Sequence, residues 1–233
     1  MSNPYFRFKQ FTVRHDRCAM KVGTDGCLLG AWTDTSGARR IADVGTGSGL
    51  IALMLAQRNT EAHIEALDID PDACLQATEN VAASSFATRI RILHTDFRTY
   101  TPSSPYDLIV SNPPYFDESL KCPEAKRRTA RHTDTLSLTE LLRQATAHLP
   151  DDGRLALILP YTQRGALLRQ AEAESLHLVR ETRVIPVEGA QPKRLLAELA
   201  RHAAPYTPST LTLETTAHQR TDAFQRLVRD YYL

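Results

Sequence analysis

Cysteine is scarce in this 233-residue chain, and none of the four forms a C-x-x-C pair. Cys18, Cys27, Cys74 and Cys122 therefore supply neither a redox dithiol nor half of a zinc ribbon, and none follows a proline in the manner suited to nucleophilic attack on a pyrimidine ring. They read as free thiols, most of them buried. Metal-ligand spacing is missing as well. The eight histidines are scattered, so His15, His94 and His132 read as surface or local hydrogen-bonding residues, and no metal is expected. No apolar run reaches the ~18 residues that span a bilayer, and the N-terminus carries no signal-like pattern. A cytoplasmic protein without a membrane partner is the expectation. Charge of one sign is not in excess either: 28 Lys and Arg face 27 Asp and Glu, a net +1 that gives no whole-molecule support for nucleic-acid binding.

What is present is the pattern of an α/β protein. At 42% hydrophobic the chain can bury one large core, so residues 1–233 are expected to form one domain. Residues 1–38 are an N-terminal extension of hairpin and helix, too short for an independent unit. Phe6 to Phe11 alternates as a hairpin would. Apolar runs at Ile41–Val44, Ala62–Leu67, Ile90–His94, Tyr106–Ser111, Arg154–Leu159 and His177–Val187 read as strands. Between them, Leu50–Ala56, the segment from Pro71, Leu136–Leu149 and Tyr161–Glu174 read as helices. Lys193–His202 is ambiguous by period, and topology favours a final antiparallel strand beside the one before it. Asp222–Tyr232 closes the chain as a short amphipathic helix.

The strand ending at Ser111 runs into Asn112-Pro113-Pro114-Tyr115. A carboxamide offers an acceptor and two donors in one plane, while the prolines remove backbone donors and stiffen the turn. Two converging acceptors, the Asn112 side chain and a turn carbonyl, can hold one NH2 group and draw its lone pair out of conjugation. Tyr115 adds a stacking face for an aromatic base. The same residues also suit an ordinary strand-ending turn.

Position relative to a second motif favours chemistry. Asp43-Val44-Gly45-Thr46-Gly47-Ser48-Gly49 follows the first sheet strand and opens a helix, as at the first turn of a doubly wound sheet. The G-x-G-x-G spacing departs from the dinucleotide fingerprint, and the preceding acid suits a cationic amino group better than a pyrophosphate. S-adenosylmethionine carries an ammonium and a sulfonium and no phosphate. The next strand ends in Asp68, where ribose hydroxyls are bound in this architecture. Asp70 reads as a helix cap with Pro71 at the first helical position. After the third strand come Asp96, which could accept from an adenine amine, and Phe97, which could pack on that ring.

This order of motifs resembles the class I S-adenosylmethionine-dependent amino-methyltransferases. Upstream, Phe8 to Gly26 and Leu28-Leu29-Gly30-Ala31-Trp32 resemble the bacterial tRNA(Val) adenine-37 N6-methyltransferase family, with likeness from about residue 6 onward. The resemblance implies a Rossmann-like class I methyltransferase fold, with helices on both faces of a mostly parallel seven-stranded sheet carrying one antiparallel C-terminal strand. It also implies N6-methylation of an RNA adenine, and S-adenosylmethionine as cofactor. By the same resemblance Thr24-Asp25-Gly26 lies against the methionine end of the cofactor, above a floor of Asp43, Gly45 and Gly47. Asp68 takes the ribose, Asp96 with Phe97 the adenine, and Asn112 to Tyr115 the target base.

Local charge completes the picture. Lys121, Lys126, Arg127, Arg128 and Arg131 follow the Asn112 turn directly, and Arg14, Arg17 and Lys21 lie in the N-terminal segment. A solvated basic loop is the plain reading. Beside the Asn112 turn, Lys21, Lys126, Arg127, Arg128 and Arg131 are candidate contacts to tRNA phosphates, in a protein expected to be a monomer. Methylation of a glutamine amide on release factors needs the same tetrad, but those enzymes carry a helical N-terminal domain for which this chain has no room. Guanine-N2 or adenine-N6 methylation of ribosomal RNA is nearer in class, and a non-catalytic RNA-binding module retaining a cofactor site is a further alternative.

Overall fold

Alternation of buried residues along the strands divides the interior into two layers, one on each face of a single sheet. Ile41, Ile64, Leu108, Val110 and Ile158 pack to one side, and Val44, Leu67, Ile109, Leu157 and Leu159 to the other. Strands buried on both faces read as continuous apolar runs, which is why β6 (Leu108–Ser111) and β7 (Arg154–Pro160) have almost no exposed position. The structure is a computed structural model that describes residues 3–18, 21–114 and 136–233.

A hairpin of β1 (Tyr5–Arg7) and β2 (Thr12–Arg14) leads to helix α1 (Thr24–Trp32). Strand β3 (Arg40–Val44), helix α2 (Leu50–Arg58), β4 (His63–Asp68), helix α3 (Pro71–Ala82), β5 (Ile90–His94) and β6 follow. After the undescribed segment come helix α4 (Leu138–His148), β7, helix α5 (Arg164–Ala173), β8 (His177–Val187), β9 (Arg194–Ala200), β10 (Ser209–Glu214) and helix α6 (Asp222–Val228). The sheet order is β10-β8-β9-β7-β6-β3-β4-β5. All pairings are parallel except those of β9, which runs antiparallel to both β7 and β8. The expected mostly parallel sheet with one antiparallel strand is present. Its count is corrected from seven to eight: β10 adds an edge strand parallel to β8.

Local chemistry sets the helix starts. Asp70 caps α3, accepting from the Asp72 amide at 2.9 Å with Pro71 behind it. Ser137 and Glu140 form a reciprocal capping box that starts α4, worth about 1 kcal/mol. Helices α1 and α2 pack closely because Gly26 and Gly30 leave room for Leu50 and Met54; a Cβ on Gly30 would lie 2.7 Å from the Met54 sulfur.

The last residues pack back onto this layer. Tyr231 donates its hydroxyl to the Met54 carbonyl at 3.0 Å, and its own carbonyl accepts from the Lys9 amide at 2.8 Å. The Tyr232 ring lies 5.7 Å from Phe6 and 6.0 Å from Phe8. The Tyr232 hydroxyl partly offsets the rise that burial imposes on the Cys27 thiol of α1. Cys18, Cys27 and Cys74 are free thiols, the latter two buried, and burial pushes all three up to about 11. Cys122 and His132 lie outside the described residues.

Candidate active site

The parallel strands end at one edge of the sheet, and a cavity of about 730 Å³ opens there. Its wall is drawn from Lys21–Gly26 before and within α1, from Gly45–Ser48 after β3, and from Asp68 and Asp70 after β4. Asp96 after β5, Asn112–Pro114 after β6 and Arg194 at the start of β9 complete the named contributors.

The glycine turn divides by task. Gly45 (φ 72°) and Gly47 (φ 56°) adopt left-handed conformations, and a Cβ on either would meet nothing within 4 Å. Gly49 (φ 79°) instead faces Ala77 of α3, whose Cβ would be 3.4 Å from a new methyl. The first two leave space for a ligand to approach backbone, and the third serves helix packing. The Gly45 and Thr46 amides donate to the Leu67 carbonyl at 2.9 and 3.0 Å, stapling the turn to β4.

Asp43 does not line the cavity. It is fully buried beneath the turn, and its Oδ2 accepts from the Thr46 hydroxyl at 2.6 Å and the Ala52 amide at 3.0 Å. Its Oδ1 has no partner among the described residues. Burial pushes its carboxyl up to about 7, opposed by these two hydrogen bonds. Asp68 does line the cavity. Its Oδ2 accepts from the Gly47 amide at 2.8 Å and its Oδ1 from the Asp70 amide at 3.0 Å. Burial raises its pKa.

Asp96 also faces the cavity, but with a partner that no motif in the sequence announces. Arg98 clasps both oxygens, with Nη2–Oδ2 at 2.7 Å and Nε–Oδ1 at 3.0 Å, and this bonding holds the carboxyl below its ordinary range. Phe97 departs from expectation. Its ring is absent from the cavity wall and sits in the second core layer, edge-on to His148 at 5.6 Å. A side chain one residue from a cavity-facing aspartate points into the interior.

Ser111 donates to the Val44 carbonyl at 2.8 Å and locks the end of β6 to β3. The turn that follows presents a half-buried Asn112, a buried Pro113 and an exposed Pro114. Thr24 opens α1 on the cavity wall, and Lys21 lies just before it. The structure thus gathers Lys21, Thr24, Gly45, Gly47, Asp68, Asp96, Asn112, Pro113 and Pro114 around one space. Tyr115, Lys126, Arg127, Arg128 and Arg131 lie outside the described residues. The structure adds Arg194, paired with Asp25 at 2.8 Å. The two stand 169 positions apart, and no local pattern links them.

Two solved structures share this architecture. A predicted O-methyltransferase from Agrobacterium tumefaciens superposes with a TM-score of 0.67 at 18% identity, covering 89% of this chain and 96% of that one. The ribosomal protein L11 methylase of Lactobacillus delbrueckii subsp. bulgaricus gives 0.55 at 21%, covering 76% and 77%. At such identities they speak for the fold alone, that of Rossmann-like class I methyltransferases.

Sequence likeness goes further, since residues 21–183 match the methyltransferase small domain and the chain belongs to that family of S-adenosylmethionine-dependent enzymes. Full-length relatives narrow it. A Parabacteroides distasonis protein named tRNA1(Val) (adenine(37)-N6)-methyltransferase is 57% identical over 236 residues, covering 100% of this chain and 99% of the relative. Proteins of the same name from Trichodesmium erythraeum (46% identical; 100% and 99% covered) and Klebsiella pneumoniae (41%; 98% and 94%) extend the likeness across distant bacteria.

The residues present fit S-adenosylmethionine. The open space over Gly45 and Gly47 admits a ligand against bare backbone, and carboxylates stand where a ligand without phosphate requires no anion site.

Proposed function

We propose that this protein methylates N6 of an adenine in RNA, adenine 37 of tRNA(Val), using S-adenosylmethionine. The observation that carries the reading is that Asn112-Pro113-Pro114 borders the same cavity as the Gly45–Gly47 cradle and Asp68. A group that grips a planar NH2 and a group that accommodates the methyl donor share one space. The names of the full-length relatives support the choice of tRNA(Val).

In this reading Gly45, Gly47 and Asp68 hold the cofactor, Thr24 borders its amino-acid end, and Asp43 braces the floor from beneath. Asp96 takes the adenine end, its carboxylate kept ionised by Arg98. When bound, the cofactor supplies an electrophilic methyl group on a sulfonium and leaves as a neutral thioether. The target adenine leaves its stack to enter the cavity. The Asn112 carboxamide and the Pro113 carbonyl accept from its N6 amine, and Tyr115 supplies the stacking face. The amine loses one proton to water after transfer. Alignment and hydrogen bonding carry most of the acceleration, because the donor is already cationic. Lys21, Lys126, Arg127, Arg128 and Arg131 contact RNA phosphates. The whole chain, 1–233, acts as one monomeric methyltransferase unit in the cytoplasm. No helix among the described residues is long and apolar enough to cross a membrane.

Incubation with labelled S-adenosylmethionine and separate pools of tRNA, ribosomal RNA and release factors tests the assignment. Label is expected in N6-methyladenosine from the tRNA pool; label appearing only in protein overturns it.

A further inference from the structure

We infer that Arg194 is a positioning residue for the RNA substrate, binding a phosphate beside the target nucleotide; this rests on the RNA reading above. The single antiparallel strand makes this possible. Because β9 runs against its neighbours, its first residue, rather than its last, arrives at the edge where the other strands end. Arg194 is paired in register with Pro160 of β7 and Val184 of β8, and its side chain lines the cavity.

Its mounting is rigid. The Lys193 amide donates to the Val184 carbonyl at 2.8 Å, and the Lys193 carbonyl accepts from the Tyr161 amide at 3.0 Å and from Arg194 Nη1 at 3.2 Å. Asp25 holds Arg194 Nε at 2.8 Å, which fixes the plane of the guanidinium while leaving the pair partly exposed, at 34% for Arg194 and 22% for Asp25. A guanidinium whose plane is held in this way is a weakly hydrated cation suited to meeting a phosphate oxygen.

Sheet order decides which anion it meets. The residues that face the cofactor's adenosine, Asp68 and Asp96, follow β4 and β5. Asn112 follows β6, and β9 lies two strands beyond β6 in the opposite direction. Arg194 therefore stands on the far side of the amine-gripping turn, where the nucleotide backbone must pass if its base is to reach Asn112. Exposed Lys193 adjoins it on this edge, and Lys21 adds a second cation to the cavity wall.

Binding of an unmodified tRNA(Val) transcript, followed across a salt series for the parent protein, Arg194→Gln and Arg194→Lys, tests the inference. S-adenosylmethionine affinity is measured by calorimetry on the same samples. Arg194→Gln is expected to weaken RNA binding roughly tenfold and to lower the slope of log affinity against log salt by about one, with cofactor affinity unchanged. Arg194→Lys restores the slope. An unchanged slope in Arg194→Gln overturns the inference, and so does a loss confined to cofactor affinity, which would assign the guanidinium to the methionine carboxylate. A parent protein that neither binds nor methylates the transcript refutes the tRNA reading itself, so the two failures are read on different samples.

Discussion

Asp68 reaches back from the end of β4 to accept the Gly47 amide at 2.8 Å, so a carboxylate on the cavity wall also fixes the turn that forms its floor. Removing it acts twice. Asp68→Ala should leave the Gly47 and Asp70 amides without their acceptors, costing ~1–3 kcal/mol of stability, and should weaken S-adenosylmethionine binding at least tenfold. Denaturant melts and calorimetry read the two losses separately; full cofactor affinity in the variant would remove Asp68 from the binding set.

Asn112→Ala should abolish methyl transfer while leaving cofactor affinity nearly intact, because the proposed reading gives its carboxamide to the target amine and the cofactor to Gly45, Gly47 and Asp68. Single-turnover assays with saturating cofactor check this. Retained turnover would sink the amine-gripping role.

Asp43 gives a pH dependence of defined sign. Its folded carboxyl titrates near 7 against an ordinary 3.8, chiefly because it is buried, so the native state holds the proton more tightly than the unfolded chain. Its contribution to stability is complete below about pH 4 and is lost as pH rises through about 7, at up to ~1.4 kcal/mol for each step of one in pH. Asp43→Asn should flatten this part of the stability profile between pH 4 and 8. Equal pH slopes for the two proteins in denaturant titrations would refute the assignment.

Two glycines should fail in opposite ways. Gly30→Ala drives a methyl toward Met54 and should cost ~1–3 kcal/mol in folding stability, with cofactor affinity preserved in the folded fraction. Gly45→Ala puts a methyl into open space at a positive φ, costing about 1 kcal/mol in the backbone, and should lower cofactor affinity far more than that strain explains. Melting curves with and without S-adenosylmethionine distinguish the two.

Central strands were legible in the sequence because burial on both faces demands unbroken apolar runs, as in Leu108–Val110 and Leu155–Leu159. The glycine turn, Asp68 and Asn112 were legible because each follows such a run directly. β10 was not: in Ser209–Glu214 only Leu211 is buried, so an edge strand built on backbone pairing leaves little apolar signal. Phe97 misled because, once a strand has ended, nothing local fixes which way a side chain turns. Arg98 and Arg194 were silent for another reason. Their meaning lies in partners, Asp96 and Asp25, and arginines are common enough that only the folded chain tells which ones matter.

The return of Tyr231 and Tyr232 onto Met54 and the hairpin ties this layer to residues as much as 177 positions away in the chain. Helix α1 carries one wall of the cavity, yet part of its support comes from α6 and the residues that follow it, far along the chain. Loosening Tyr231 and Tyr232 should therefore slacken a cavity wall that neither residue lines.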